Sequence, residues 1–360
     1  MSDASLALVR QTLGIFSRAS DGATRGVYSP CDTKERESRG GGQVVELNFT
    51  QAIESIAADS HSGAAQIAER AADILLRRAT SGEPASPDAF RRELLATGWA
   101  LIRAQTVMAP LVNLVNSVLW KVESEDTPRG LRQAVSHATD EFKRMLAQHA
   151  LRVAEGALGL IGEGSRIVTI SNSSTVQHAL IHAQRAGRRL EVICAESRPS
   201  LEGREQAALL LNCGLSVTLL DDAAAIDVAA HADLVLVGAD MLTNRGLINK
   251  IGTRPMALVA YEASVPFYTL CGSEKFLPPG FRPHQQPDMS VEDIWSDAPD
   301  HAGSVAHFFD FTPLEALAGI VTEQGILPVA AVEAWLAATK LHPALANYAN
   351  GEMREQLLVP

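Results

Sequence analysis

Hydrophobic and polar positions follow two different rhythms along this chain. From about Asn48 to Ile161 apolar residues recur every three to four positions, the spacing that lines one face of a helix. Ala64 to Arg78 carries such a face, with Arg70, Arg77 and Arg78 on the other side. Ser86-Pro87-Asp88 is a helix start, with Ser86 as N-cap and Pro87 in the first turn. Met108-Ala109-Pro110 interrupts the next helix, and Thr127-Pro128 opens a long one running towards Gly159. Five or so helices without a strand are expected here.

After Gly164 the rhythm changes. Arg166 to Ile170 is a short β-branched run followed by a helix from Ser174 to Ala186. Leu190 to Cys194 is a second strand, followed by a helix from about Gly203 to Asn212. Leu215 to Leu220, Asp233 to Val237 and Val265 to Leu270 complete five strands. Strands alternating with helices specify βαβ units and a parallel sheet covered on both faces. Ahead of both regions, Ser5 to Ala19 has helical spacing, and Ser20 to Gly42 reads as a polar loop ending in Gly40-Gly41-Gly42. The expected organisation is an N-terminal helix and loop over 1–48, a helical domain over 49–161, an α/β domain over 162–345 and a tail over 346–360.

Composition narrows the functional classes. The 360 residues are 46% apolar and 20% charged, a globular balance. Lysine and arginine number 31 against 42 acids, so the formal charge is 31 − 42 = −11. A chain this acidic, without a basic stretch, is not expected to bind nucleic acid generally. No run of about 18 apolar residues suggests a membrane span, and Met1-Ser2-Asp3-Ala4 does not resemble a signal peptide. Cys31, Cys194, Cys213 and Cys271 are scattered without a CxxC pair, which leads to an expectation of reduced thiols and a cytoplasmic location.

In an open parallel sheet, ligands bind beyond the carboxyl ends of the strands. Strand one ends in Ser171-Asn172-Ser173-Ser174-Thr175, whose hydroxyls and following helix N-terminus suit a phosphate, or an ordinary N-cap. Strand two ends in Glu196-Ser197-Arg198-Pro199, with Glu202-Gly203-Arg204 beginning the next helix. Arginines there suit bidentate anion contact, or else a surface ion-pair network. Strand four ends in Gly238-Ala239-Asp240, where an acid behind an apolar run is a candidate acid–base group or a turn cap. Asn249 and Lys250 then supply amide and ammonium donors ahead of Gly252-Thr253. His178 and His182 are spaced i,i+4, but a third metal ligand is not evident, and no metal or cofactor is expected. The chain lacks GxGxxG after a strand, GxxxxGK[ST] and GxSxG.

Taken in order, these segments resemble one family. It joins the regulatory subunits of translation initiation factor 2B, methylthioribose-1-phosphate isomerase and ribose-1,5-bisphosphate isomerase. The resemblance rests on Glu196 to Pro199 with Glu202 to Arg204, on Gly238 to Asp240, and on Asn249 to Thr253. Ser62-Gly63-Ala64, Met108 to Leu111 with Asn113, Phe309 to Pro313 and Thr322 to Gly325 add to it. It extends from about Gln51 to Pro328, and Met1 to Asn48 has no counterpart in it. The resemblance implies a helical N-terminal domain, a Rossmann-like C-terminal domain that dimerises, and a phosphorylated sugar or nucleoside monophosphate held between them. It also implies that Ser62, Gly63, Ala64, Ser173, Arg198, Glu202, Asn249 and Lys250 bind substrate, and that Asp240 is catalytic.

One position departs from the isomerases. Their turn after the first strand carries a catalytic Cys, and Thr169-Ile170-Ser171-Asn172 places Ser171 there. A thiol exchanges a proton near neutrality, whereas an unactivated hydroxyl is far too weak an acid. Glu202 and the segment Cys271 to Phe276 also resemble the initiation-factor branch. The first reading is therefore an initiation factor 2B-like protein that binds a phosphorylated ligand. The second is an intramolecular oxidoreductase that converts an aldose 1-phosphate to its ketose through Asp240, with Ser171 or a water in place of the thiol. The third is a non-catalytic scaffold that contacts another chain through its N-terminal loop.

Overall fold

The computed structural model describes residues 48–82, 86–283, 289–300, 302–303 and 307–349. The helix expected over Ser5 to Ala19, the glycine-rich loop after it and Cys31 lie outside the described residues. Five helices come first: α1 (Phe49–Ala57), α2 (Ala64–Thr80), α3 (Pro87–Ala104), α4 (Ala109–Val122) and α5 (Pro128–Ala157). Their ends follow the capping residues. Asn48 caps α1 in a capping box with Gln51, Ser86 accepts from the Ala89 N–H, and Thr127 accepts from the Gly130 N–H.

The strands and helices then alternate as β1 (Arg166–Thr169), α6 (Ser174–Arg185), β2 (Glu191–Ala195), α7 (Glu202–Asn212), β3 (Ser216–Leu220), α8 (Asp222–Val228) and β4 (Leu234–Val237). A hairpin of β5 (Met241–Leu242) and β6 (Gly246–Lys250) precedes α9 (Thr253–Glu262) and β7 (Phe267–Leu270). The short α10 (Val291–Ile294), β8 (Phe309–Pro313), β9 (Gly319–Thr322), β10 (Gly325–Leu327), α11 (Val332–Ala337) and α12 (Pro343–Ala349) complete the described order.

The main sheet has the strand order β10-β9-β7-β4-β1-β2-β3, parallel except for the antiparallel edge strand β10. A second, antiparallel sheet joins β5, β6 and β8. The five-strand expectation thus needs correcting to ten among the described residues. The additional strands are the short hairpin, β8 and the β9–β10 pair, each of five residues or fewer and bounded by turns, so that only pairing with a partner strand defines them. The boundary expected before a tail at residue 346 falls inside α12.

Alternate strand residues feed opposite faces of the sheet. Ile167, Val192, Leu234 and Leu236 pack with α6, α7 and the end of α5, while Val168, Ile193, Val235 and Val237 pack with α8, α9 and α11. The 30 residues of α5 serve both halves: Leu131, Val135 and Phe142 lie in the helical core, and Val153, Ala154 and Ala157 lie against the sheet. Met241, Leu277, Phe281 and Leu345 from the later part of the chain are buried in the helical core. Helices and sheet accordingly belong to one compact unit.

Cys194 and Cys271 are free and buried, and Cys213 is disulfide-bonded, so the expectation of four reduced thiols does not hold for Cys213. Among the described residues no helix is long and apolar enough to cross a membrane.

Candidate functional site

From β1 the chain winds outward through β2 and β3, then returns to place β4 on the other side of β1. Loops leaving β1 and β4 therefore diverge, and their carboxyl ends leave a crevice. A cavity of about 190 Å³ opens there. It is closed from the helical side by the α1–α2 turn and the α3–α4 turn, and by Phe308 and Phe309.

Ser171 begins the turn after β1 with φ 69°, a left-handed conformation that costs a non-glycine residue about 1 kcal/mol. Its N–H donates to Ser197 Oγ at 2.8 Å, and its hydroxyl donates to Glu202 Oε1 at 3.1 Å. Ser173 caps α6, and its own N–H donates to Gln206 Oε1 at 2.8 Å. Gly238 makes room for this turn, because a Cβ there would lie 2.5 Å from Ser173 Oγ. Gly63, at the head of α2, also approaches this turn, less closely: a Cβ would lie 3.3 Å from the Asn172 carbonyl oxygen. Two helix N-termini, those of α2 and α6, thus converge on the cavity, each presenting free N–H groups and the positive end of its dipole.

Asp240 follows β4, and its backbone ties three elements together. Its N–H donates to the Ile248 carbonyl at 3.1 Å, and its carbonyl accepts the Ala109 N–H at the start of α4 at 3.0 Å. Its carboxyl is enclosed by protein but reaches solvent through the cavity. Burial raises its pKa from 3.8 to about 6, an effect reinforced by Glu202 and opposed by Lys275 and Lys250.

Glu202 and Lys250 are buried, at 4% and 3% exposure, and pair at 2.9 Å through Glu202 Oε1. That oxygen also takes the Ser171 hydroxyl, whereas Glu202 Oε2 has no hydrogen-bond partner. Asn249 Nδ2 donates to Thr253 Oγ1 at 3.0 Å, holding the amide against the start of α9. Both Asn249 and Lys250 belong to β6, paired with Asp310 and Phe309 of β8, rather than to a loop.

The cavity wall therefore gathers Ser62, Gly63, Ala64, Ser171, Ser173, Glu202, Asp240, Asn249 and Lys250. Arg198 is elsewhere. Its side chain is 64% exposed, and its Nε donates to Glu196 Oε1 at 2.9 Å while Arg204 takes the other oxygen of Glu196 at 2.6 Å. The surface ion-pair reading describes that segment. His178 Nδ1 lies 2.6 Å from the Ser174 carbonyl, and burial lowers its pKa. Cys194 is in the core, with its thiol pushed up by burial to about 12, so it offers no thiolate.

Lys275 also lines the cavity and was not among the expected site residues. It follows β7 in a single 3₁₀ turn, is 4% exposed, and its ammonium makes no hydrogen bond or ion pair with any described residue. A buried ammonium without a partner is costly, and its charge faces the cavity that Asp240 shares. A lysine just after the fifth predicted strand satisfied the same strand-end rule that selected Asp240. Gln105 was missed for a different reason: its amide donates to the carbonyls of Ile56 and Asp59, shaping the turn that carries Ser62, and no local pattern announces such a role.

A doubly wound sheet whose switch point faces a helical layer and a cation-lined crevice defines the general class of protein. Comparison then gives the family. Residues 60–329 match the initiation factor 2 subunit family, to which the chain belongs. The ribose 1,5-bisphosphate isomerase of Archaeoglobus fulgidus is 32% identical over 284 residues, 77% of this chain and 89% of the relative. A solved Pyrococcus horikoshii translation initiation factor eIF-2B superposes with TM-score 0.68 at 26% identity, covering 78% of this chain and 96% of that one. The 5-methylthioribose 1-phosphate isomerase of the same organism shares the fold, with TM-score 0.64 at 21% identity over 85% and 87% of the two chains.

Proposed function

We propose that the cavity binds a phosphorylated sugar and that the chain isomerises an aldose 1-phosphate to the corresponding ketose, with Asp240 as an acid–base residue. The observation that carries this reading is Asp240 itself, a carboxyl at a strand end whose burial lifts its pKa to about 6. Lys275, Lys250 and the N-termini of α2 and α6 supply charge for phosphate groups. The similarity to relatives named ribose 1,5-bisphosphate isomerase points the same way.

Isomerisation of a cyclic aldose 1-phosphate needs one acid and one base. A base removes the C2 proton, the electron pair forms the C1–C2 double bond, and the ring C1–O bond opens as its oxygen takes a proton. The base then returns its proton to C1, and the C2 hydroxyl gives up its own, leaving a carbonyl at C2. Two carboxyls on one cavity wall suit these roles. Asp240, raised by burial, is the acid. Glu202, paired with Lys250 through Oε1 and with Oε2 unpartnered, is the base.

Phosphorus NMR of the protein with ribose 1,5-bisphosphate, methylthioribose 1-phosphate, ribose 1-phosphate and AMP tests this. A new resonance that grows with time is expected, with kcat/KM falling above about pH 6 as Asp240 loses its proton. Line broadening without a product peak would replace catalysis by binding alone. That second reading has its own support: the Ser171 hydroxyl is tied to Glu202, at the position where the family resemblance implies a thiol in the isomerases. An unchanged spectrum with all four compounds would remove both and leave the scaffold reading.

A further inference from the structure

Behind Lys275, away from the cavity, a second group of ionisable residues has no place in the chemistry above. His149 on α5 lies between two carboxylates from other elements. Its Nδ1 is 2.7 Å from Glu274 Oε2, and its Nε2 is 3.8 Å from Glu323 Oε1 in the β9–β10 turn. Both acids are buried, at 5% and 6% side-chain exposure, and His149 is at 14%. Glu323 also accepts the Ser273 N–H through Oε2 at 3.0 Å. On the other side of the segment, Asn113 Nδ2 donates to the carbonyls of Glu274 and Phe276 at 2.7 and 2.9 Å. The turn that presents Lys275 is therefore held from α4, from α5 and from the β9–β10 turn.

Gly272 permits this arrangement. A Cβ at that position would run into the Glu274 carboxylate and lie 2.7 Å from His149 Nδ1. The pair thus occupies the space that a side chain at residue 272 would need.

Protonated imidazole hydrogen-bonds Glu274 through Nδ1 and forms an ion pair with Glu323 through Nε2, whereas neutral imidazole has one N–H and no charge to offer the two acids. Loss of the proton leaves two buried carboxylates facing each other with a single donor between them, which is unfavourable. The turn then relaxes, and Lys275, which shares its backbone, relaxes with it. We propose that His149 is a positioning residue: its doubly paired cation holds Lys275 at the cavity wall, so anion binding weakens when His149 deprotonates. The inference rests on the reading of the cavity as a phosphate site.

The charged groups around His149 are Glu274, Glu323 and, on α5, Arg152. Burial acts to lower its pKa and Arg152 assists, but the hydrogen bond and charge of Glu274 with the charge of Glu323 prevail, and the pKa is raised. The buried Cys271 thiol, itself pushed up by burial, remains neutral beside them.

The test uses the full chain and ribose 1,5-bisphosphate. The imidazole C2 proton of His149 is followed by NMR from pH 5 to 9 with and without ligand, and affinity is measured by calorimetry over the same range. Binding is expected to raise the His149 midpoint, because linkage is reciprocal, and affinity is expected to fall about tenfold as His149 deprotonates. Glu323→Gln, which keeps a hydrogen-bonding side chain, should move both transitions to lower pH. Gly272→Ala keeps every charge while displacing the pair, and it should flatten the pH dependence. Unaltered melting temperatures would show that both variants fold. Tight binding with an unchanged His149 midpoint overturns the inference and leaves the anion site standing. No binding at any pH removes the site, and the inference with it.

Discussion

At the residue scale, Asp240 carries the sharpest prediction, because function and stability oppose each other there. A carboxyl whose folded pKa is raised contributes stability that is full below its unfolded value and lost as pH rises through its folded value. For Asp240 that loss runs from about pH 4 to about pH 6. Asp240→Asn should therefore be more stable than the parent at pH 7.5, by about 1–2 kcal/mol once solvent access through the cavity is allowed for, and equally stable at pH 3.5. The same substitution should lower turnover by about 10²–10⁴-fold. Thermal melts at the two pH values and the phosphorus assay check both. Equal melting at pH 7.5 would mean that the carboxyl is not raised.

Much of this site was legible residue by residue. Asp240, Lys250 and Glu202 were found because strand ends in an α/β sheet are where polar groups can meet a ligand. Arg198 satisfied the same rule and still lies elsewhere, because Glu196 can satisfy its guanidinium locally, two residues away. Lys275 satisfies the strand-end rule as well, but its neighbour Glu274 suggests a local ion pair, and only the fold turns that acid away to His149.

At the element scale, the alternation of strands and helices after Gly164 followed from periodicity, since each covered strand is an apolar run and each helix has one apolar face. What periodicity missed were short strands, whose few residues carry too little pattern to be told from a turn. Gly246 to Lys250 becomes β6 only because Phe309–Pro313 pairs with it from more than fifty residues away. The same pairing sets Asn249 and Lys250 at the cavity.

Element packing also makes Gly203 indispensable in the first turn of α7. A Cβ there would run into the Ala195 carbonyl oxygen and lie 2.8 Å from Ser197 Oγ, so α7 and its Glu202 approach β2 as closely as glycine allows. Gly203→Ala should destabilise the fold by about 2 kcal/mol or more, seen as a lower urea midpoint with unchanged slope. Ligand affinity should fall with it, because Glu202, Lys250 and Ser171 share one network. An unshifted midpoint would show that α7 has room to move.

At the scale of the whole molecule, helical and α/β halves share a core through Met241, Leu277, Phe281 and Leu345 and through the length of α5. Residues 48–349 should accordingly lose structure in one transition. Trp99, buried in the helical core, and far-ultraviolet circular dichroism, which reports helices everywhere, are expected to trace the same urea curve. Separate midpoints would show that the halves unfold independently.

By itself the sequence determined the succession of helices, the parallel sheet, the anionic surface and most of the residues at the strand ends. These follow from short-range rules: the period of apolar residues, the chemistry of helix caps and the charge balance. Tertiary structure alone decided that β1 and β4 would lie side by side, that α2 and α6 would aim their N-termini at one cavity, and that Lys275 would stand there without a partner. It also set His149 between Glu274 and Glu323. Those outcomes depend on pairing and burial between residues far apart in sequence, from Lys250 with Phe309 to His149 with Glu323, where strand register and desolvation decide contacts that no local pattern encodes.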